Sequence, residues 1–320
     1  LYAHPLDHAH PLWQVWVIEG LPHGRVAVLL LIHHALTDGI GILRMLNAYW
    51  RSKPETSVYP VDLPFEPAPL PSKTRLLLDG LRDMPALLRR GVPAALRGMA
   101  AGRKARKQWE AEGKEPPPKF GDPAYDAPFA TKLSPRRTFV ARSFSLDRVK
   151  AVSRALKVTL NDVFLSCVAG ALRAHTIAQT GSPPARGQIA SVPFALVPLS
   201  ERTRDGNFST IDHTLLHPHV ADPVERLMEC RKSALAMKRH FEATREANVA
   251  ALFDLLPRAV PKLADRLNER KGGGVLPFYN VVISNVPGPR EKMRLGQLEL
   301  EQWYSMGQIA HGAALNVTVW

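Results

Sequence analysis

Apolar residues recur along this chain with two different periods, and each change of period marks an element. "WQVWVIEGL" and "RVAVLLLI" are short runs rich in Trp, Val, Ile and Leu on either side of a "PHG" turn. That arrangement predicts a β-hairpin, with the second run a buried strand ending at His33. The spacing then switches in "ALTDGIGILRMLNAYW", where Ile40, Leu43 and Leu46 fall on one helical stripe. Thr37 or Asp38 can cap that helix by accepting its orphan backbone N–H groups.

A similar alternation returns in the second half. "RTFVARSFSL" is strand-like, "LDRVKAVSRAL" an amphipathic helix, and "TLNDVFLSCVAGALRAHTIAQTG" a longer, mostly buried helix stopped by Gly181. "IASVPFALVPLS" reads as a buried strand. Asp222-Pro223-Val224-Glu225 opens a further helix, with Asp at the cap and Pro at the first position. "VVISNVPGP" is a strand entering a rigid turn, and "ALNVTVW" alternates like a half-buried strand. Residues 52–122 differ: "PVDLPFEPAPLP" is too rich in proline for regular structure, and helical islands follow. The chain thus divides into a strand–strand–helix unit (1–51), a Pro-rich and basic helical linker (52–122) and a second α/β unit (123–320). The fold class is α/β.

Composition adds a location for the charge. Lys plus Arg outnumber Asp plus Glu by 42 to 29, a formal +13, which suits polyanionic partners: nucleic acid, an anionic membrane surface or a phosphorylated cofactor. Residues 71–119 hold twelve basic and five acidic side chains, so +7 of the +13 lies there. Leu77, Leu81, Leu88, Val92 and Leu96 recur among those arginines at near-helical spacing, as in a helix lying on anionic lipid; a solvated connector is the alternative. No apolar run approaches the roughly 20 residues needed to cross a bilayer, so the expected membrane contact is peripheral. Cys167 and Cys230 show no metal or redox spacing and fit a reducing, cytoplasmic setting. There is no initiator Met and no signal-peptide layout, and the chain ends on a strand; we read it as a fragment truncated at both ends.

The chemistry concentrates in "LLLIHHALTDGIG". The pattern H-H-x-x-x-D-G should arise by chance in roughly one in a thousand chains of this length. Imidazole is the side chain best suited to move a proton near neutral pH. Successive strand residues face opposite ways, so one of His33 and His34 is the reactive group and the other shapes the turn. Zinc sites on a helix favour an i, i+4 pair, for which adjacent histidines are badly placed, and no metal is expected on His33, His34 and Asp38. His213, His217 and His219 share a strand parity, but Pro218 interrupts the strand and no further ligand completes a site. They read as surface or edge-strand decoration.

"HPLWQVWVIEGL" followed by "LIHHALTDGIG" resembles the bacterial wax ester synthase/diacylglycerol acyltransferase family. That family is part of the H-H-x-x-x-D-G acyltransferase superfamily, with chloramphenicol acetyltransferase and peptide-synthetase condensation domains. "TLNDVFLSCVAGALR", "VPLSERTRDGN", "VVISNVPGP" and "GQIAHGAALNVTV" agree with the family in order, across nearly the whole chain. The departures are a missing segment before PLW, missing chain after the last strand, and Leu199 and Glu201 in "PLSER". The resemblance implies two chloramphenicol-acetyltransferase-like domains with mixed sheets and an active site at their interface. It implies an O-acyltransferase moving a fatty acyl group from acyl-CoA to diacylglycerol, giving triacylglycerol, or to a long-chain alcohol, giving a wax ester.

By the same resemblance His34 is the general base, with no covalent intermediate and no cofactor beyond acyl-CoA as co-substrate. Asp38 is structural, capping the helix and holding the loop through an arginine, for which Arg202 is the candidate. Gly39 permits close backbone approach at the turn. Ser284 and Asn285 are candidate oxyanion donors, or they fix a crossover between domains. Asn161 and Asp162 are substrate contacts or helix caps, capping being favoured by residue type; His311 lies in the last family-like segment. The implied partners are acyl-CoA, a lipid alcohol and an anionic membrane or lipid-droplet surface, with no nucleic acid. Two rival readings are a condensation-type enzyme using a carrier-bound thioester and a non-catalytic lipid-surface protein of the same fold.

Overall fold

The computed structural model describes residues 4, 6–7, 9–50, 69–118, 127–197, 201, 206–244, 279–286, 288 and 291–320. Its centre is a mixed four-stranded sheet, and a separate antiparallel pair, β6 (Arg294–Leu295) and β7 (Leu298–Glu299), precedes its last strand in the chain. Strands β3 (Gln188–Ala195) and β4 (Ser209–Leu216) pair antiparallel, while β5 (Val281–Asn285) lies parallel to β3 and to β8 (Asn316–Val319). Asn280, wholly buried, extends the β3–β5 pairing: its N–H donates to Ile189 O (2.7 Å) and its Oδ1 accepts from Ile189 N–H (2.9 Å). Two helices, α4 (Leu160–Thr180) and α5 (Pro223–Thr244), pack on each other and on β4. Leu165, Ala169, Leu172, Leu216, Val281 and Ile283 form the apolar core between helices and sheet. Cys230 joins this core, and burial pushes its thiol up to about 11.

Helix starts follow the expected chemistry. Ser145 caps α3 (Leu146–Leu156), and Asp222 Oδ1 accepts from the N–H groups of Val224 and Glu225 at the start of α5. Thr159 and Asp162 make a reciprocal capping box at the start of α4, and Gly181 ends that helix in the left-handed conformation.

Four expectations are corrected. The helical islands are one 39-residue helix, α2 (Lys73–Ala111), which runs through Pro85 and Pro93 and is capped by Ser72. Its C-terminal half is held by α5: a Cβ on Gly102 would sit 3.3 Å from His240 Nε2, and Arg239 and Lys114 each lie 4.9 Å from the centre of the Trp109 ring. "RTFVARSFSL" runs outside every sheet, with Val140 and Phe144 exposed; its alternation had no strand to pair with among the described residues. The hairpin of β1 (Trp13–Leu21) and β2 (Arg25–Ile32) forms about the PHG turn as expected but is not buried, because among the described residues it pairs only with itself and Trp16 and Val17, on opposite faces, are both exposed. The Pro-rich stretch at residues 51–68 lies outside the described residues.

The fourth correction concerns the second histidine group. β4 is an edge strand, but His213 and His217 are 3% and 5% exposed rather than on the surface, because α5 packs on the strand and the His213 ring lies 6.2 Å from that of Tyr279. His217 Nε2 lies 2.8 Å from Ser233 Oγ on α5. Burial, then the neighbouring His219, push its pKa down from 6.5 to about 4. Between those values the folded protein keeps His217 neutral while the unfolded chain binds a proton there. Stability contributed by this site is therefore intact above about pH 6.5 and falls as pH drops towards 4, by up to about 1.4 kcal/mol per pH unit. His217→Gln should remove that slope in urea unfolding measured across the window; an unchanged slope would assign the proton to another group.

Candidate active site

The H-H-x-x-x-D-G segment forms the turn from β2 into α1 (Gly39–Tyr49). His33 N–H donates to Leu12 O (2.9 Å), closing the open end of the hairpin, and His33 Nδ1 accepts from Ala35 N–H (3.2 Å). The first imidazole therefore folds back onto its own turn. The second, His34, is exposed and turns towards the strand that opens the sheet's edge. Asn207 Nδ2 lies 2.9 Å from His34 Nδ1 and 3.1 Å from His34 O, two residues before the start of β4.

Asp38 locks this meeting from beneath. It is 2% exposed; Oδ1 accepts from Gly41 N–H (2.9 Å), capping α1, and Oδ2 accepts from Phe208 N–H (2.8 Å). The cap is as expected, but the second oxygen holds a backbone amide in the residue after Asn207; Arg202, the expected partner, lies outside the described residues. Close approach, expected at Gly39, occurs at Gly41, where a Cβ would sit 2.0 Å from Thr37 Oγ1. A Cβ on Gly39 would meet Val286 Cγ2 at an ordinary 3.5 Å.

That contact brings the end of β5 to the same place. Asn285 is the last residue of β5, and its Nδ2 reaches Asn161 Oδ1 in the first turn of α4 at 3.4 Å. Capping falls to Asp162, which accepts from Thr159 N–H (2.8 Å), and not to Asn161. Ser284 stands opposite Thr318 in the β5–β8 register. His311 is committed elsewhere: its Nδ1 accepts from Leu133 N–H (3.0 Å). Thus Asn207 and Phe208 hold His34 and Asp38 together, and Asn285 meets Asn161 next to Val286, which lies near Gly39, while His311 supports a loop.

Asn207 carried no assigned role in the sequence, although it ends the "RTRDGN" motif. Its one legible signal is an Asx residue two positions before Ser209. The amide Oδ1 accepts from Ser209 N–H (3.2 Å) and Oγ–H (2.6 Å), which leaves the NH₂ group facing His34. An amide nitrogen only donates, so Nδ1 accepts and the neutral ring carries its proton on Nε2.

Residues 1–164 match the wax ester synthase/diacylglycerol acyltransferase catalytic domain, and residues 206–320 match the C-terminal domain of the same enzymes. The chain belongs to the wax ester synthase/diacylglycerol acyltransferase family. A Mycobacterium tuberculosis protein provisionally named a diacylglycerol O-acyltransferase is 44% identical over 321 residues, covering 100% of this chain and 67% of that one. Another from the same organism, tgs2, is 31% identical over 324 residues. The solved wax ester synthase/diacylglycerol acyltransferase of Marinobacter aquaeolei VT8 is similar at a TM-score of 0.62 and 25% identity, over 99% of this chain and 65% of that one. The chain therefore spans about two thirds of the length of these relatives.

In this family member the first matched region carries His34 and Asp38, and the second begins at Gly206, one residue before Asn207. The two regions are joined by the Asp38 carboxylate. Asp38→Asn sets an NH₂ group against one of two N–H donors, removing a bond and orphaning a buried donor. The expected loss is about 2 kcal/mol of unfolding free energy. Urea denaturation measures it, and an unchanged midpoint would show that the bridge does not form in solution.

Proposed function

We propose that this chain carries the catalytic machinery of an O-acyltransferase that moves a fatty acyl group from acyl-CoA to a lipid alcohol. The acceptor is diacylglycerol, giving triacylglycerol, or a long-chain alcohol, giving a wax ester. The observation that carries this reading is the exposed His34 imidazole held where the two family regions meet, against Asn207.

The reaction asks little beyond a base, two donors and a dry place to hold both substrates. His34 takes the hydroxyl proton as the alcohol oxygen attacks the thioester carbonyl carbon. The tetrahedral oxyanion then collapses, the C–S bond breaks, and the imidazolium returns the proton to the CoA sulfur. A thioester is already activated, so no acyl-enzyme is required if both substrates are bound together. No cofactor is required by this scheme. The Asn285 amide, only loosely engaged with Asn161, is the donor we assign to the oxyanion, with Ser284 beside it; one such donor is commonly worth about 3 kcal/mol. His33 and Asp38 keep the turn in place.

Asn207 sets a condition on the first step. Nε2 can accept a proton only in the tautomer that carries hydrogen on Nδ1, whereas Asn207 donates to Nδ1 in the resting arrangement. The amide must release the ring, or present its oxygen, before the alcohol is deprotonated. Asn207 is thus a positioning residue that governs where the imidazole proton sits.

Release of free CoA by the full-length protein, with one acyl-CoA and either diacylglycerol or hexadecanol, tests the proposal. His34→Ala should lower turnover by at least about a hundredfold with the fold unchanged. Near-normal turnover would remove His34 as base, and loss of activity on chelation, restored by zinc, would replace this chemistry with a metal mechanism.

The positioning role has its own readout. Nitrogen-15 NMR of the histidine ring should report an Nε2–H tautomer for resting His34. Asn207→Asp, which offers an acceptor to Nδ1–H, should switch it, and Asn207→Ala should lower kcat about tenfold with KM little changed. An Nδ1–H tautomer in the unmodified protein would overturn the role.

A further inference from the structure

Helix α2 has two halves that treat one stripe differently. At 100° per residue, Leu77, Leu81, Met84, Leu88 and Val92 fall within about 80° of arc and extend over about 22 Å of helix. Ala95 and Gly102 continue the same arc. In the C-terminal half the stripe is small and covered: Ala95 is 3% exposed, and Gly102 admits His240 and Thr244 of α5. In the N-terminal half the stripe is large and bare, with Leu77, Leu81 and Leu88 at 63%, 59% and 47% exposure. Side chains shrink where a protein neighbour fits and grow where none is present among the described residues.

The opposite side of that bare half is cationic. Arg82 and Arg89 lie about 120–140° from Leu77, with Arg90 close by, while Arg75 on the same side is paired with Asp79 (2.9 Å). Across residues 73–111 ten basic side chains face three acidic ones. Leu76 and Leu78, at 58% and 57% exposure, flank the stripe about 100° to either side of Leu77 and widen its apolar surface, and with arginines on the back the helix can sink that side to headgroup depth while its cations meet lipid phosphates. Among the described residues no single helix is long and apolar enough to cross a membrane.

We propose that the half of α2 from Ser72 to Leu96 docks on an anionic lipid surface. Charge complementarity selects this occupant: two copies of a +13 chain pairing through the same stripe would bring like-charged arginines together, whereas acidic lipid attracts each by about 1 kcal/mol. The bare leucines add the apolar contact that a purely electrostatic tether lacks. The reason for docking rests on the acyl-transfer reading, since the acceptor has to be drawn from a lipid phase; the docking itself does not.

The test is cosedimentation of the full-length protein with phosphatidylcholine vesicles, with and without phosphatidylglycerol. The Leu77→Ser/Leu81→Ser/Leu88→Ser variant should lose at least tenfold in partitioning to both vesicle types. The Arg82→Gln/Arg89→Gln/Arg90→Gln variant should lose about a hundredfold on anionic vesicles and little on neutral ones. Because these side chains are exposed, thermal unfolding should match the parent. CoA release with a short-chain acyl-CoA and a water-soluble alcohol should stay within about twofold of the parent in both variants. Unchanged vesicle binding in both variants overturns the proposal. So does concentration-dependent dimerisation that the leucine variant abolishes, which would give the stripe to a second copy. If the soluble assay fails in the parent as well, the acyl-transfer reading falls while vesicle docking stands.

Discussion

One buried carboxylate holds the candidate site together. Asp38 offers two oxygens to two backbone N–H groups, one in the first turn of α1 and one, 170 residues along the chain from Asp38, just before β4. Both donors belong to the main chain, so neither can rotate away, and the carboxylate fixes the turn against the sheet edge. Asn207 precedes Phe208, and His34 precedes Asp38 by one turn; the imidazole–amide contact therefore inherits its geometry from the bridge beneath it. A side-chain ion pair to an arginine would have left that register looser, because a long guanidinium stem tolerates several placements.

Much of the fold could be read because it rests on local rules. The hairpin turn, the cap at Asp38, the capping box at Thr159 and Asp162, the Gly181 stop and the strands around Val192, Ile283 and Val317 all follow from neighbours within a few positions. Misreadings arose where a partner far along the chain decides the outcome. The alternation in "RTFVARSFSL" is real but finds no described strand. His213 and His217 looked exposed because their neighbours, Ser233 of α5 and Tyr279, arrive later in the sequence. The helical islands merge into one α2 because a Ser72 cap and flanking Ala, Leu and Arg favour helix on both sides of Pro85 and Pro93.

The site was legible in outline and hidden in detail for the same reason. His34, Asp38 and Asn285 announce themselves by residue type and motif. Asn207 acts through a tautomer and Phe208 through a main-chain N–H, and neither property has a residue-type signature. The consequence is chemical. A histidine with a donor on Nδ1 is poised to give a hydrogen bond from Nε2, not to take a proton there. On the mechanism we propose, resting and reactive states differ by one amide rotation, so an arriving substrate oxygen alters proton location without moving the fold.

Charge and chemistry are kept apart in this molecule. Helix α2 carries a net +7 of the chain's +13, whereas the residues meeting at His34 are amides, one imidazole and one carboxylate satisfied by backbone donors. Screening by salt weakens exposed arginines on α2 far more than the buried Asp38 bridge, which bulk ions do not reach. In the docking we propose for α2, ionic strength therefore acts on delivery to lipid before it acts on assembly of the site. The leucine stripe opposes that loss, since apolar burial is not screened. A helix combining both holds at physiological salt where either part alone would be weak.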